Sequence, residues 1–175
     1  MLTHTAWFDR KFDFSGLPPA QFANILERLR GTPGRLEERT RDLEHAVLAR
    51  REGGRWSIQE QAGHLLDLEP VWLRRSEQIF AGEAELLVVD LTNRRTHDAR
   101  HNDRELAELL AGFRGARGRL LELLERADEA VIVRSALHPR LRQPLRLLDL
   151  AAFVAEHDDH HLAEITGMLR LWGAV

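Results

Sequence analysis

The sequence predicts an all-α protein: a four-helix bundle with a short extra N-terminal helix and a long crossover connection. Three observations carry that expectation. Thirty Leu and 20 Ala stand against 8 Val and 5 Ile, and Leu and Ala favour helices where β-branched residues favour strands. Apolar residues recur at helical spacing in four long segments. The connection between the second and third of these, residues 83–101, is too long for a tight helical hairpin. With 175 residues, 43% hydrophobic and 30% charged, the chain is long enough to bury one core unaided and is taken as a single domain, 1–175.

Residues 1–17 look irregular, and Trp7, Phe8, Phe12 and Phe14 are expected to lie across the edge of the core. Pro18-Pro19 opens a short helix to about Arg30, with Phe22, Ile25, Leu26 and Leu29 on one face. Gly31-Thr32-Pro33-Gly34 then interrupts, and Thr32-Pro33 fits an N-cap followed by proline in the first turn. The helix so started carries Leu36, Leu43, Val47 and Leu48 inward to about Arg51, where Gly53-Gly54 ends it. Ser57 and Glu60 form a capping box for a second long helix, bent at Pro70, reaching about Phe80 and closed by Gly82. A third opens near Asn102 or Asp103 and presents Leu106, Leu109, Leu110, Phe113, Leu120, Leu121 and Leu124. Its Gly112, Gly115 and Gly118 weaken the helix but permit close approach of a neighbour. Residues 128–144 are expected to be a connection with an extended piece at Val131 to Val133, before a last helix from about Leu145 to Leu171.

Composition excludes several classes of chemistry. There is no cysteine, so disulfides, thiolate metal ligands and a cysteine nucleophile are ruled out, and there is no tyrosine to act as a phenolic acid. Net charge is −3, so no bulk field draws the chain to nucleic acid or anionic lipid. Arginines are interleaved with acids such as Glu37, Glu38 and Asp42, the pattern of a solvated surface. The longest apolar run, Leu150 to Ala155, is far too short for a membrane span, and no signal-peptide layout opens the chain. The expectation is a cytoplasmic protein with no nucleic-acid or membrane partner.

The last helix carries Glu156-His157-Asp158-Asp159-His160-His161. On a wheel centred on Val154, the apolar stripe formed by Leu147, Leu150, Ile165, Met168 and Trp172 lies within about 40°, His161 at about 20° and His157 at about 60°, with His160 about 120° away. Two histidines one turn apart thus replace apolar residues on the buried face, where they can share one ion. A single inward histidine is ordinarily a hydrogen-bonded core residue, but burying a pair is costly unless both rings are satisfied. His64, midway along the second long helix with Ser57, Gln61, Leu68 and Val71 on its face, supplies a third nitrogen. Three histidines plus an open position form the catalytic type of zinc site, although nickel, iron and cobalt also accept imidazole. Asp67 and Glu60, one turn to either side of His64, are candidates to orient an imidazole. Asp158 is a candidate base, because His157-Asp158-x-x-His161 has the spacing of HExxH with Asp for Glu, or a surface carboxylate. His97 and His101, set among arginines, are expected in a solvated loop, and His4, His45 and His138 carry no signal. His160, at the edge of the stripe, is expected to partner the ligands rather than join them.

The element Trp56-Ser57-x-x-Glu60-x-x-x-His64-Leu65, followed by His157-x-x-x-His161-Leu162-Ala163-Glu164-Ile165, resembles the DinB/YfiT-like metal-binding four-helix bundles, which are distinct from the DNA polymerase that shares the DinB name. Phe12-Asp13-Phe14 and the stretch from Pro18 to Pro33 are similar to that family's start. The resemblance implies a divalent metal, zinc or nickel, on His64, His157 and His161, and a homodimer. It further implies a small-molecule substrate and a metal-dependent thiol S-transferase or hydrolase. The family includes hydrolases, transferases using bacillithiol, mycothiol or glutathione, and thiol-dependent maleylpyruvate isomerases. A low-molecular-weight thiol cosubstrate suits a chain with no sulfur nucleophile of its own. The alternative is a non-catalytic, stress-related structural protein whose metal ties helices together, its fourth ligand coming from Glu60, Asp67 or Asp158.

Overall fold

Four long helices dominate the computed structural model, which describes residues 5–173; His4 lies outside them. In chain order the elements are α1 (Phe22–Thr40), the short α2 (His45–Leu48), α3 (Ile58–Ala81), the short α4 (Arg94–Asp98), α5 (Leu106–Leu124), the short α6 (Glu129–Ile132), β1 (Ser135–His138), β2 (Gln143–Arg146) and α7 (Leu147–Leu171). Ser57 caps α3 by accepting from the Glu60 amide while the Glu60 carboxylate takes the Ser57 amide, and Gly82 ends the helix with φ of 74°. Of the aromatic leader, Trp7, Phe12 and Phe14 pack against the core edge as expected, whereas Phe8 stays exposed.

Several boundaries differ from expectation, and α5 opens at Leu106, after a separate turn at His101–Asp103, rather than near Asn102 or Asp103. The Gly31-Thr32-Pro33-Gly34 string does not break the chain, and α1 runs straight through it. Pro33 has no N–H for the carbonyl of Leu29, which costs an interior helix a bond; the Arg117 guanidinium of α5 donates to that carbonyl instead, at 3.0 Å. The stretch beyond Thr40 then leaves the helix, and only α2 follows before α3. The expected extended piece at Val131 to Val133 falls mostly in α6, and the extended chain lies just after it, in a β1–β2 hairpin pairing Ser135 with Arg146 and His138 with Gln143.

Side-chain pairs across the helix faces fix the topology. Arg28 meets Glu156 and Arg39 meets Thr166, so α1 and α7 run parallel. Arg30 meets Glu125 and Arg114 meets Glu37, so α1 and α5 run antiparallel. Leu66 lies on Gly112 and Glu69 on Arg117, so α3 and α5 are parallel neighbours. Two parallel neighbours cannot be joined by a hairpin. The connection 82–105 therefore returns the length of the bundle: its start pairs with β1 through Leu86 and Leu137, and its end brings the His101 ring onto Gly63, near the beginning of α3. This is the long crossover, and it passes directly over His64.

The core is divided along the bundle axis. One apolar cluster contains Ile25, Leu29, Trp72, Leu120, Leu124, Phe153 and Val154; the other contains Leu36, Ile58, Leu65, Phe113, Leu162 and Ile165. Between them every long helix contributes buried polar groups: Thr32 from α1, His64, Asp67 and Glu69 from α3, Arg117 from α5, and His157, Asp158 and His161 from α7.

Candidate metal centre

The helical spacing of His157 and His161 places both rings toward α3, where His64 meets them. One nitrogen from each of the three lies within 4.8 Å of the others, and all three residues are buried. The Nε2 of His157 is 3.3 Å from that of His64 and 3.0 Å from that of His161.

Proton positions follow from the outer nitrogens. The Thr96 hydroxyl donates its single hydrogen to Asp67 at 2.9 Å. It can therefore only accept from His64 Nδ1, also at 2.9 Å. His161 Nδ1 likewise faces the Gln61 carbonyl oxygen, an acceptor. Both rings thus carry their proton on Nδ1 and turn an Nε2 lone pair inward. His157 Nδ1 is buried without a hydrogen-bond partner. Burial pushes all three imidazoles toward the neutral form. His64 is pushed down to about 4, burial and the neighbouring histidines outweighing the opposing pull of Asp67; His157 and His161 fall well below the ordinary histidine value, again mainly through burial. Two neutral rings with inward lone pairs, and a third nitrogen within hydrogen-bond reach of both, make a donor set that suits a cation. Nitrogens about 2.0–2.1 Å from one zinc ion lie about 3–3.5 Å apart, so the spacing observed fits a shared ion.

Of the three carboxylates singled out from sequence, only Asp67 reaches the triad, and it does so through Thr96. Burial pushes Asp67 up, but hydrogen bonds from His101 and Thr96, with Arg95 nearby, hold it below the usual carboxylate range. Glu60 is occupied by the Ser57 cap and by Arg51. Asp158 faces away from the imidazoles, accepting from Thr32 at 2.7 Å and from Arg117 at 2.6 Å.

His97 is exposed, as expected, against Trp56. His101 is not: it is 1% exposed, and its Nε2 is 2.8 Å from Asp67. It reaches Asp67 because Gly63 has no side chain; a Cβ there would sit 2.2 Å from the His101 ring. The sequence pattern assigns no role to Thr96 or Gly63 and places His101 in a solvated loop. The one available signal was a helix-interior glycine immediately before the candidate ligand.

The imidazoles open onto a cavity of about 650 Å³, walled by Trp7, Trp56, Leu68, Val71, Trp72 and Phe153. Trp72 and Trp7 pack their rings 5.5 and 5.0 Å from His157, and Trp56 lies 4.6 Å from His64. Among the described residues, no helix is long and apolar enough to cross a membrane.

Comparison with solved structures shows where this architecture recurs. YfiT from Bacillus subtilis, described as a probable metal-dependent hydrolase with an unusual four-helix bundle topology, superimposes with a TM-score of 0.83 at 18% identity over 94% of each chain. The mycothiol-dependent maleylpyruvate isomerase superimposes with a TM-score of 0.67 at 13% identity, over 89% of this chain and 63% of that one. A search of curated protein sequences returns no match. The sequence profile of the DinB superfamily matches residues 28–165, a stretch that takes in all of α3 and α5 and most of α1 and α7 and includes His64, His157 and His161, and the chain belongs to that superfamily.

Proposed function

We propose that the chain is a divalent-metal-dependent enzyme that acts on a small molecule, with zinc or nickel held by His64, His157 and His161. The observation that carries this reading is the convergence of the three Nε2 atoms, two of them stripped of protons by their outer partners, at the wall of a large apolar cavity. Thr96 and Gln61 hold the Nδ1 protons of His64 and His161, so neither ring can turn its N–H inward. Trp7, Trp56 and Trp72 keep bulk water from the nitrogens and shape the space for an organic substrate. Bound there, the ion supplies Lewis acidity that lowers the pKa of a thiol or water at the site.

Thiol S-transfer is favoured over hydrolysis. Asp158, the carboxylate spaced to act as a base on water, is committed to Arg117, and Glu60 and Asp67 are committed to Arg51 and to Thr96 and His101. A thiol activated by the ion needs no such base, and a chain without cysteine must take its sulfur from a cosubstrate. The related solved structures support both arms, one described as a probable hydrolase and the other as mycothiol-dependent. A purely structural metal calls for a closed site, whereas these nitrogens border a cavity.

The test is turnover of a model electrophile by metal-loaded and metal-stripped protein, with glutathione, bacillithiol, mycothiol or no thiol. Turnover requiring both metal and one thiol is expected. Metal-dependent turnover without thiol would instead establish hydrolysis, and tight metal binding with no turnover in any arm would favour the structural role.

A further inference from the structure

The cavity has a second chemical feature at the end away from Trp56. Arg75 of α3 is 2% exposed, yet no carboxylate pairs with it among the described residues. Its Nε and Nη2 donate to the carbonyl of Leu87 at 3.1 and 2.8 Å, and its Nη1 approaches His138 Nε2 at 3.0 Å. All of these partners are neutral. Arg140, from the turn of the β-hairpin, lines the same wall, and its Nη2 is buried with no hydrogen-bond partner. Its guanidinium lies 5.6–6.0 Å from the rings of Trp7, Phe8 and Phe153. Burial and the proximity of Arg140 push Arg75 down to about 10, and burial also pushes Arg140 down. Buried charges of like sign with no counter-ion are costly unless a ligand supplies one.

The acids that line the cavity do not fill this role. The Asp90 carboxylate is held at the exposed rim by Thr92 and the Arg94 amide. Glu164 belongs to the far end, since eleven residues of α7 separate it from Phe153, about 16 Å along the helix axis. His157 lies one turn beyond Phe153, so about 6 Å of helix rise separates the level of the arginines from the nearest imidazole.

We propose that Arg75 and Arg140 form an anion subsite that anchors a carboxylate of the small molecule bound in the cavity, with a spacer of a few carbon atoms leading to the three imidazoles. The position of the reacting end rests on the metal-enzyme reading above; the anchoring does not. Either the thiol cosubstrate or the acceptor can carry the carboxylate, because the guanidinium groups recognise the group and not its source.

The experiment uses the full chain, metal-stripped and zinc-loaded, and follows tryptophan fluorescence, since Trp7 and Trp72 line the site. It is titrated with 3-phenylpropionate, representing an acceptor acid, and with 3-mercaptopropionate, representing a thiol cosubstrate, each against its primary amide. At least one acid should bind about tenfold more tightly than its amide with or without zinc, and the acid that does so identifies the source. Arg140→Gln should abolish that preference, Arg140→Lys should retain part of it, and the surface variant Arg114→Gln should leave it unchanged. An acid no better than its amide in both pairs, or a preference that survives Arg140→Gln, overturns the subsite. A preference seen only with zinc also overturns it, by placing the carboxylate on the ion, while leaving the metal reading intact. A preference in stripped protein that takes up no metal upholds the subsite and overturns the metal reading.

Discussion

His157 and Asp158 are adjacent in sequence and equally buried, yet they belong to opposite kinds of polar cluster. On the Asp158 side, Arg117 donates to Glu69, Asp158 and the Leu29 carbonyl at distances of 2.6–3.2 Å, and Thr32 adds a further donor to Asp158. Burial nevertheless raises Glu69 above the ordinary carboxylate range, showing how confined that charge is. On the His157 side, three Nε2 atoms meet with no carboxylate or guanidinium between them, and His157 Nδ1 has no partner among the described residues. Burial alone therefore does not separate structural from functional polar groups. What separates them is whether the protein itself satisfies them: the first cluster is complete, and the second leaves a buried imidazole nitrogen without a partner among the described residues. Arg117 and Arg75, both buried, differ in the same way: Arg117 has two carboxylates and Arg75 has none among the described residues.

The largest effect expected from this contrast lies in the complete cluster. Arg117→Met leaves two carboxylates and the Leu29 carbonyl without their donor, and should cost about 3–5 kcal/mol in chemical denaturation. Replacing Glu69 and Asp158 by Leu as well should restore much of that loss, because a buried ion cluster and a packed apolar one are close in free energy. The triple variant should still take up metal. A folded triple variant that has lost metal binding would show that Asp158 serves the imidazoles after all.

Next in size is a pH effect on the cationic wall. Burial, Arg75 and Arg140 push His138 down to about 4, so it is neutral in the fold. Unfolded, it protonates near the ordinary histidine value of 6.5, and the unfolded chain then binds more protons between those two values. The His138 contribution to stability should be full above pH 6.5, be lost through the window from 6.5 to about 4, and be gone below it, at most about 3 kcal/mol in all. His138→Asn keeps an acceptor for Arg75 and should make the fall measured on metal-free protein shallower, the remainder belonging to His64, His157 and His161, which burial also holds neutral. An unchanged slope would mean that His138 already carries its proton in the fold.

Legibility divides along the same line. Helices α3, α5 and α7, the Ser57–Glu60 cap, the Gly82 stop and the inward placement of His64, His157 and His161 were all readable, because each depends on residues within a turn or two. Local signals misled wherever a distant residue decided the outcome. Pro33 reads as a helix start until Arg117, 88 residues beyond Leu29, supplies the missing donor. His101 reads as a solvated loop residue until the crossover lays it in the notch left by Gly63. Arg75 and Arg140 were invisible as a pair, since nothing in sequence brings α3 to the tip of a hairpin.

The incomplete cluster predicts a smaller, conditional effect. His161→Ala removes one nitrogen without breaking an ion pair, so the metal-free protein should unfold close to where the wild type does. Zinc at one hundred times its Kd stabilises a single-site protein by about 2.7 kcal/mol, and this increment should vanish in the variant. Thermal unfolding with and without zinc measures the difference. Full retention of the increment would remove His161 from the ligand set.

The smallest effect tests whether the outer partners aim the nitrogens or merely fill space. Thr96→Val keeps the shape of the residue but leaves His64 Nδ1 without an acceptor, freeing the ring to present N–H inward. Metal affinity should fall by about tenfold in competition with a chelating dye. Thr96→Ser, which retains the hydroxyl, should restore it. A packing defect would instead lower the melting temperature of both variants' metal-free forms without separating their affinities. Gly63→Ala reaches the same relay from the other end, by pushing His101 off Asp67. If the relay aims His64, Gly63→Ala and Thr96→Val should lower zinc affinity by similar factors and the double variant by little more than either, because both break one chain from Asp67 to His64. Fully additive losses would mean that Asp67 holds Thr96 without help from His101.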